Sequence, residues 1–443
     1  MRTELQGWGR FPTHHSHLEA PRSEDEIRRS LGAGRGVVAR GNGRSYGDSA
    51  LGRVATLSTR HFNRMIAFDP ETGILILEAG ALLGDVIAAF LPRGWFPLVT
   101  PGTRHVTIGG MIASDVHGKN HHKDGAMRAS VAWLDLMTAD GAVLRCAPTE
   151  NETLFDLTCG GMGLTGVILR AAIRLRRVES AWIEQRMLPA ATLAQAIAIF
   201  EANHEATYSV AWIDCLASGR ALGRSLVMLG EHARPQALRD DYALRPLDWP
   251  RKRKLTVPLD FPSWALNRVT LRAFNALYYR KGLAAEGRSI VDWDSYFYPL
   301  DAINNWNRIY GAKGFAQYQC VLPLAASEAG LTELLATIAA AGTGSFLAVL
   351  KRFGAQESAF SFPMEGYTLA LDFPVRRSTF ALLDRLDAIT LAHGGRFYLA
   401  KDSRMEAATL HAADPRAAQF AEWRRSHGCA AALRSQQSER LDL

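Results

Sequence analysis

The chain has 443 residues, 48% of them hydrophobic and 21% charged, with 38 Gly and 18 Pro, a balance close to average usage that excludes a disordered, collagen-like or disulfide-stapled small scaffold. This length leads us to expect two or three domains. The net charge of +7 is unevenly placed, because residues 219–288 hold fourteen Lys or Arg against six Asp or Glu.

The N-terminus, MRTELQGWGRFPTHH, lacks the apolar core of a signal peptide. Gly36–Arg40 and Gly73–Glu78 read as short buried strands, and Ala81–Leu91 has helical periodicity. Val131–Cys146 reads as two strands around Ala139-Asp140-Gly141, a hairpin signal, and Thr149–Leu157 as a capped helix start leading through Gly160-Gly161 to a strand over Val167–Leu175. Beyond about residue 180 longer helical stretches such as Ala191–Ala202 alternate with aromatic-rich strands, which places a domain boundary near there. The longest uncharged stretch, Leu334–Leu350, is split by glycines into a helix end, a turn and a strand start, so no membrane span is expected. Cys146, Cys159, Cys215, Cys320 and Cys429 are odd in number and form no CxxC pair, which favours a reducing compartment. The expected location is cytoplasmic, with at most a peripheral contact at the inner membrane.

Three motifs mislead. Gly161-Met-Gly163-Leu-Thr-Gly166 fits GxGxxG, but a helix precedes it and a strand follows, the reverse of a dinucleotide fingerprint. Gly43-Arg-Ser45-Tyr-Gly47 fits GxSxG without the helix a nucleophile elbow requires. His117-Gly-Lys-Asn-His121-His122 has no carboxylate at helical spacing to complete a metal site, and no metal is expected. What remains is three glycine-rich turns at strand ends: Arg40–Gly47, Pro101–Gly110 and Gly160–Gly166. Glycine lets backbone amides approach an anion, so three such turns, two with arginine and hydroxyl side chains, suggest a held diphosphate. The stretch Trp249–Trp264 combines four consecutive cations with Trp, Phe and Leu. That composition suits an anionic interface and equally a solvated loop, and no nucleic-acid motif surrounds it.

At these turns the chain resembles flavin-dependent oxidases of the vanillyl-alcohol oxidase superfamily. Gly7-Trp-Gly-Arg10, Ala39–Asp48, Pro101-Gly-Thr-Arg104, Asp115-Val-His-Gly-Lys-Asn-His-His122, Gln317-Tyr-Gln319, Lys351 and Ala400-Lys-Asp-Ser-Arg404 are similar to the decaprenylphosphoryl-β-D-ribose 2′-oxidases in particular. The resemblance implies a two-domain α+β fold, with an FAD-binding domain over 1–179, a substrate domain built on an antiparallel sheet over 180–395, and a segment 396–443 returning to the first domain. It implies noncovalent FAD, held by Ala39, Arg40, Gly41, Asn42, Gly43 and Arg44 on the first turn and by Gly102, Thr107, Ile108, Gly109 and Gly110 on the second. Ser114, Asp115, Val116, His117, Ile168 and Tyr398 complete that set. The implied reaction oxidises the 2′-hydroxyl of a polyprenyl-phosphoryl β-D-ribose to the 2′-ketone, the first half of an epimerisation that a separate NADH-dependent short-chain reductase completes. A soluble sugar or alditol oxidase is the alternative within the fold, and a non-enzymatic lipid-phosphate binding protein the alternative outside it.

Oxidising a secondary alcohol with FAD requires a positioned group for the hydroxyl proton. Lys401 is the candidate, either as a base with its pKa lowered by desolvation or as a cation that polarises the alcohol. Tyr46 and His117 match family positions at the reacting centre, and Gln317, Gln319 and Lys351 match positions near the substrate; strand alternation puts both glutamines on one face. Thr368 and Ala370 stand where the family typically carries asparagine and cysteine.

Overall fold

The computed structural model describes residues 2–239, 241–262 and 264–443; Met1, at the head of the expected first domain, and Asp240 and Ser263, in the expected second, lie outside the described residues. Strands β1 (Arg2–Gln6), β2 (Thr13–Glu19), β3 (Val37–Arg40) and β4 (Ala55–Ser58) form a mixed sheet in the order β1-β2-β4-β3. A second sheet takes β5 (Met65–Asp69), β6 (Ile74–Glu78), β7 (Trp95–Pro97), β8 (Val131–Met137), β9 (Val143–Cys146) and β10 (Val167–Arg177), with β10 central between β6 and β8. Gly141 turns the β8–β9 hairpin at φ +83°, a conformation that favours glycine.

The chain then changes sheet between Arg177 and Trp182. Strands β11 (Trp182–Ala190), β12 (Tyr208–Ile213), β13 (Ser225–His232), β14 (Leu255–Thr256), β15 (Gly287–Asp292), β16 (Ile303–Asn304), β17 (Phe315–Pro323), β18 (Ala348–Phe353), β19 (Gly366–Pro374) and β20 (Arg396–Phe397) follow. Eight of them make an antiparallel sheet in the order β15-β11-β13-β12-β18-β19-β17-β20, while β14 and β16 pair in parallel. Period 2 divides the central strands cleanly. Tyr318, Cys320, Leu350, Leu369 and Leu371 face the helices Leu193–Ala202, Leu324–Ala341 and Arg377–Ala392 and form the largest core, leaving the alternate residues for the other face. Leu324–Ala341 is long and apolar enough to cross a membrane, yet its Leu331, Leu334, Leu335 and Ile338 are fully buried in that core. After β20 the chain returns: Trp423, Cys429 and Leu433 pack with Ile27 of the helix Glu24–Gly32 and with Leu57 and Leu169 of the first two sheets.

One expected feature differs. The helix after β9, Glu152–Thr158, starts at Asn151 in the left-handed region (φ 49°) with no side-chain cap. The Asn151 amide instead donates to the Arg145 carbonyl at 2.7 Å, closing the end of β9, and Thr149 plays no capping part.

Candidate active site

The three glycine turns meet. Asn42 Nδ2 donates to the His105 carbonyl (2.7 Å), clipping the first turn to the second, and the Met162 and Gly160 amides donate to the Ala113 and Ile112 carbonyls (2.8 and 3.1 Å), clipping the third to the helix Ile108–Ala113. They form one side of a cleft of about 1850 Å³, counted to its open mouth. The opposite floor is the free face of the large sheet, where the register sets Gln317 opposite Asp372, Gln319 opposite Ala370, and Lys351 opposite Thr368.

The cleft brings together most of the expected residues. Ala39, Gly41, Asn42, Gly43, Arg44 and Tyr46 line it from the first turn, and Gly102, Thr107, Gly109 and Gly110 from the second. Ser114, Val116, His117, Ile168, Tyr398 and Lys401 complete the wall above Gln317, Gln319 and Lys351. Three expected residues are not on its surface. The Arg40 guanidinium turns back to the Gln6 and Ala50 carbonyls (2.8 and 3.3 Å), and Ile108 is fully buried in the core behind the second turn. Asp115 is buried too, its carboxylate accepting from Ser361, Gln356 and the Arg128 amide. Each is a support beneath a lining residue.

Lys401 is carried by the loop after β20, tied down by the Tyr46 amide donating to the Ala400 carbonyl at 2.9 Å; its Nζ stands 3.8 Å from the Tyr46 ring centroid. Burial lowers its pKa, Asp372 opposes that, and Lys351 adds to it. Burial likewise raises Asp372, whose Oδ1 accepts from Gln317 Nε2. Burial also pushes Lys351 down to about 8 and the Tyr46 phenol well up. His117 is held well below the ordinary imidazole value, first by burial and then by Lys351. Gln319 Nε2 lies 3.0 Å from His117 Nε2 and 3.1 Å from Thr368 Oγ1, which in turn donates to the Cys320 carbonyl. An amide donating into Nε2 leaves the imidazole proton on Nδ1, which is buried and has no partner.

Asp372, Asp301 and Trp306 also line the cleft, and no sequence motif announces them. Strand period held the signal for Asp372, since Thr368, Ala370 and Asp372 alternate along β19 and share the cleft face. Asp301 accepts from Thr103 Oγ1 (2.8 Å) and the Arg104 amide (2.9 Å), a contact between segments far apart in sequence that no local pattern announces.

Comparison with known proteins decides the family. Over 449 aligned positions, 99% of this chain and 97% of the other, it is 37% identical to the decaprenylphosphoryl-β-D-ribose oxidase of Mycolicibacterium smegmatis. The chain belongs to this oxidase family. An FAD binding domain family matches residues 16–147, which include the first two glycine turns. The chain is also 33% identical, over 80% of its length and 97% of the other's, to an uncharacterized protein in the mprA 5′ region of Streptomyces coelicolor. It is 31% identical to the L-gulonolactone oxidase of Mus musculus over 35% of this chain and 36% of that one.

As a member of this oxidase family the protein is an FAD-dependent oxidoreductase with the two-domain α+β fold of the vanillyl-alcohol oxidase type. Its residues fit the cofactor. A Cβ at Gly102 would point into open space, so the backbone there lies bare to the cleft, and Arg44 Nε, Ser49 Oγ and His117 Nδ1 are buried polar atoms with no protein partner. Bare backbone, a cation and free donors in one cleft suit a flavin joined to a diphosphate.

Proposed function

We propose that the protein oxidises the 2′-hydroxyl of a polyprenyl-phosphoryl β-D-ribose to the 2′-ketone. One arrangement carries the reading: a buried lysine, Lys401, and a buried carboxyl, Asp372, flank the paired glutamines of the sheet at the end of a cleft walled by the three glycine turns. FAD, when bound, supplies the acceptor for the carbinol hydride. The chain supplies the rest. Lys401, its pKa lowered to about 7 chiefly by burial, takes the hydroxyl proton as the neutral amine, and Asp372 keeps one proton shared within the buried pair. Tyr46, stacked under Lys401, fixes the position of its Nζ, and His117 offers its Nδ1 proton to the cleft. Gln317, whose buried Oε1 has no protein partner, and Gln319, through its amide oxygen, take sugar hydroxyls, while Lys351 is the cation for the anionic end of the substrate. Thr368 anchors Gln319 through its hydroxyl, so the loss of the family's usual asparagine leaves this contact filled.

FAD is held noncovalently in this reading: among the described residues lining the cleft His117 is the sole histidine, with Nε2 already engaged, and there is no cysteine. Residues 1–179 with the returning segment 396–443 form the FAD-binding domain and 180–395 the substrate domain. The change of sheet after Arg177 and the packing of Trp423, Cys429 and Leu433 support this division, although β20 itself stays paired to β17. Net epimerisation needs a hydride returned to the opposite face of the ketone, so a separate NADH-dependent short-chain reductase follows. The protein meets its lipid-linked substrate as a cytoplasmic, peripheral enzyme. Anaerobic mixing tests the reading: polyprenyl-phosphoryl ribose bleaches the visible flavin absorbance, and free pentoses and alditols do not. Bleaching by an alditol alone would favour a soluble-sugar oxidase.

A further inference from the structure

The segment between β13 and β17 has an inverted polarity. Its acid and backbone turn inward. Asp260 accepts from Arg10 Nη1 (2.6 Å) and Arg308 Nε (3.0 Å), the Phe261 amide donates to the Arg308 carbonyl (3.0 Å), and the Val257 amide donates to the Asn304 carbonyl (3.0 Å). Its large apolar side chains turn outward instead: Leu255, Leu259, Trp264, Val269 and Leu277 are 66–75% exposed. Water-facing loops do the opposite, and five large apolar side chains this exposed within 23 residues mark an interaction surface.

Cations surround the face. Arg251, Arg253, Arg268, Arg272, Arg280 and Lys281 are exposed, and none of them pairs with an acid among the described residues. The remainder of the basic aromatic stretch is committed elsewhere. Lys252 donates to Asp292 and Ser295, and Trp249 packs edge-on against Trp293 at 5.6 Å, so neither is free to reach a partner.

The face is also joined to the cleft wall. Through β14 the segment pairs with β16, which lies between the cleft-lining residues Leu300, Asp301 and Trp306. The helix Arg268–Ala284 that continues the face sets Phe274 against Phe346, the neighbour of the cleft-lining Leu347.

We propose that the outward face of residues 255–283 docks on an anionic lipid surface and presents the cleft mouth to it. The inference rests on the lipid-linked substrate proposed above. Outward apolar side chains sink to the level of the acyl boundary, and the unpaired cations meet the headgroup phosphates, each worth roughly a fivefold gain in partition near such a surface. A lipid carrier then passes from the bilayer into the cleft past Phe274 and Phe346.

Flotation of the holoprotein with vesicles of phosphatidylcholine, with and without phosphatidylglycerol, tests this at low and high salt. The parent floats with the anionic vesicles, and salt weakens the attachment. The combined variant Leu259→Asp, Trp264→Asp, Leu277→Asp loses at least roughly tenfold in partition, while its flavin content and its bleaching by a dispersed short-chain polyprenyl-phosphoryl ribose stay at the parent's level. Should that variant lose flavin, Arg272→Gln with Arg280→Gln, on exposed helix positions, lowers partition onto anionic vesicles alone. A parent that ignores anionic vesicles, or variants that float as well as the parent, overturns the proposal. So does a parent that sediments as a dimer which the Asp variant breaks, since a second copy would then own the face. Vesicle binding without bleaching by the lipid-phosphoryl ribose would instead sink the substrate assignment and leave the surface standing.

Discussion

Lys401 Nζ lies 3.8 Å from the centre of the Tyr46 ring, and the Tyr46 amide donates to the carbonyl of Ala400, the residue before that lysine. The first glycine turn and the C-terminal segment are thereby fastened together at the reacting end of the cleft. The ring face attracts the ammonium form, while burial without a direct carboxylate partner favours the neutral amine. Lys401 is thus poised between its two protonation states.

Lys401→Ala removes the proton acceptor and leaves the glycine turns untouched. The variant retains FAD, and its rate of anaerobic flavin reduction by substrate falls by roughly two to four orders of magnitude, the worth of a positioned acid or base. Stopped-flow absorbance reads this directly. Reduction at the parent's rate would remove Lys401 from the chemistry.

How much of this was legible in the sequence follows from the range of each signal. The glycine turns were readable because turn chemistry is local, and Gln317 with Gln319 because strand period is local too. That Asp372 faces Gln317 depends on the β17–β19 register, which pairs residues 55 apart. For Arg40, Ile108 and Asp115, which the resemblance implied at the cofactor, no local signal tells that the side chains turn away from the cleft, because that depends on their packing partners. The basic stretch was read by composition alone, and composition does not reveal that Lys252 is consumed by Asp292 while Arg251 and Arg253 pair with no acid among the described residues.

Asp372→Asn keeps an acceptor for Gln317 Nε2 and deletes the charge that raises Lys401. The sign follows: without the carboxylate the neutral amine persists to lower pH. For a reaction in which Lys401 accepts the proton, kcat/KM rises with pH up to the lysine's lowered value, and in the variant that rise moves toward acid. A pH profile of flavin reduction checks it; a profile unmoved by the substitution would uncouple the two residues.

Gly43 holds φ +62°, and a Cβ placed there would strike the Arg40 guanidinium. A β-branched side chain in this region adds about 1–3 kcal/mol of backbone strain. Arg40 would have to release the Gln6 and Ala50 carbonyls as well. Gly43→Val therefore empties the site while the sheets stay folded. Flavin per protein after gel filtration measures the loss, and acid precipitation of the parent should leave the flavin in the supernatant, as noncovalent binding requires.

Lys119 lies within the His117–His122 run but not on the cleft wall. Its Nζ donates to the Tyr296 carbonyl and stands 4.0 Å from the Tyr296 ring centroid, with no carboxylate beside it. Burial first, and then Lys351, pushes its pKa from 10.5 down to about 7. A lysine depressed in the folded state costs nothing above its unfolded value, because both states are then neutral. As pH falls below about 10.4 the unfolded chain takes up the proton first, and the native state loses up to about 1.4 kcal/mol per unit until it protonates in turn. Lys119→Met removes this dependence along with the hydrogen bond, the latter a constant offset. Thermal unfolding of parent and variant between pH 10 and 7 should give curves that diverge as pH falls, with the variant gaining relative to the parent and the difference levelling below pH 7. Parallel curves across that range would mean that Lys119 keeps its ordinary affinity for the proton.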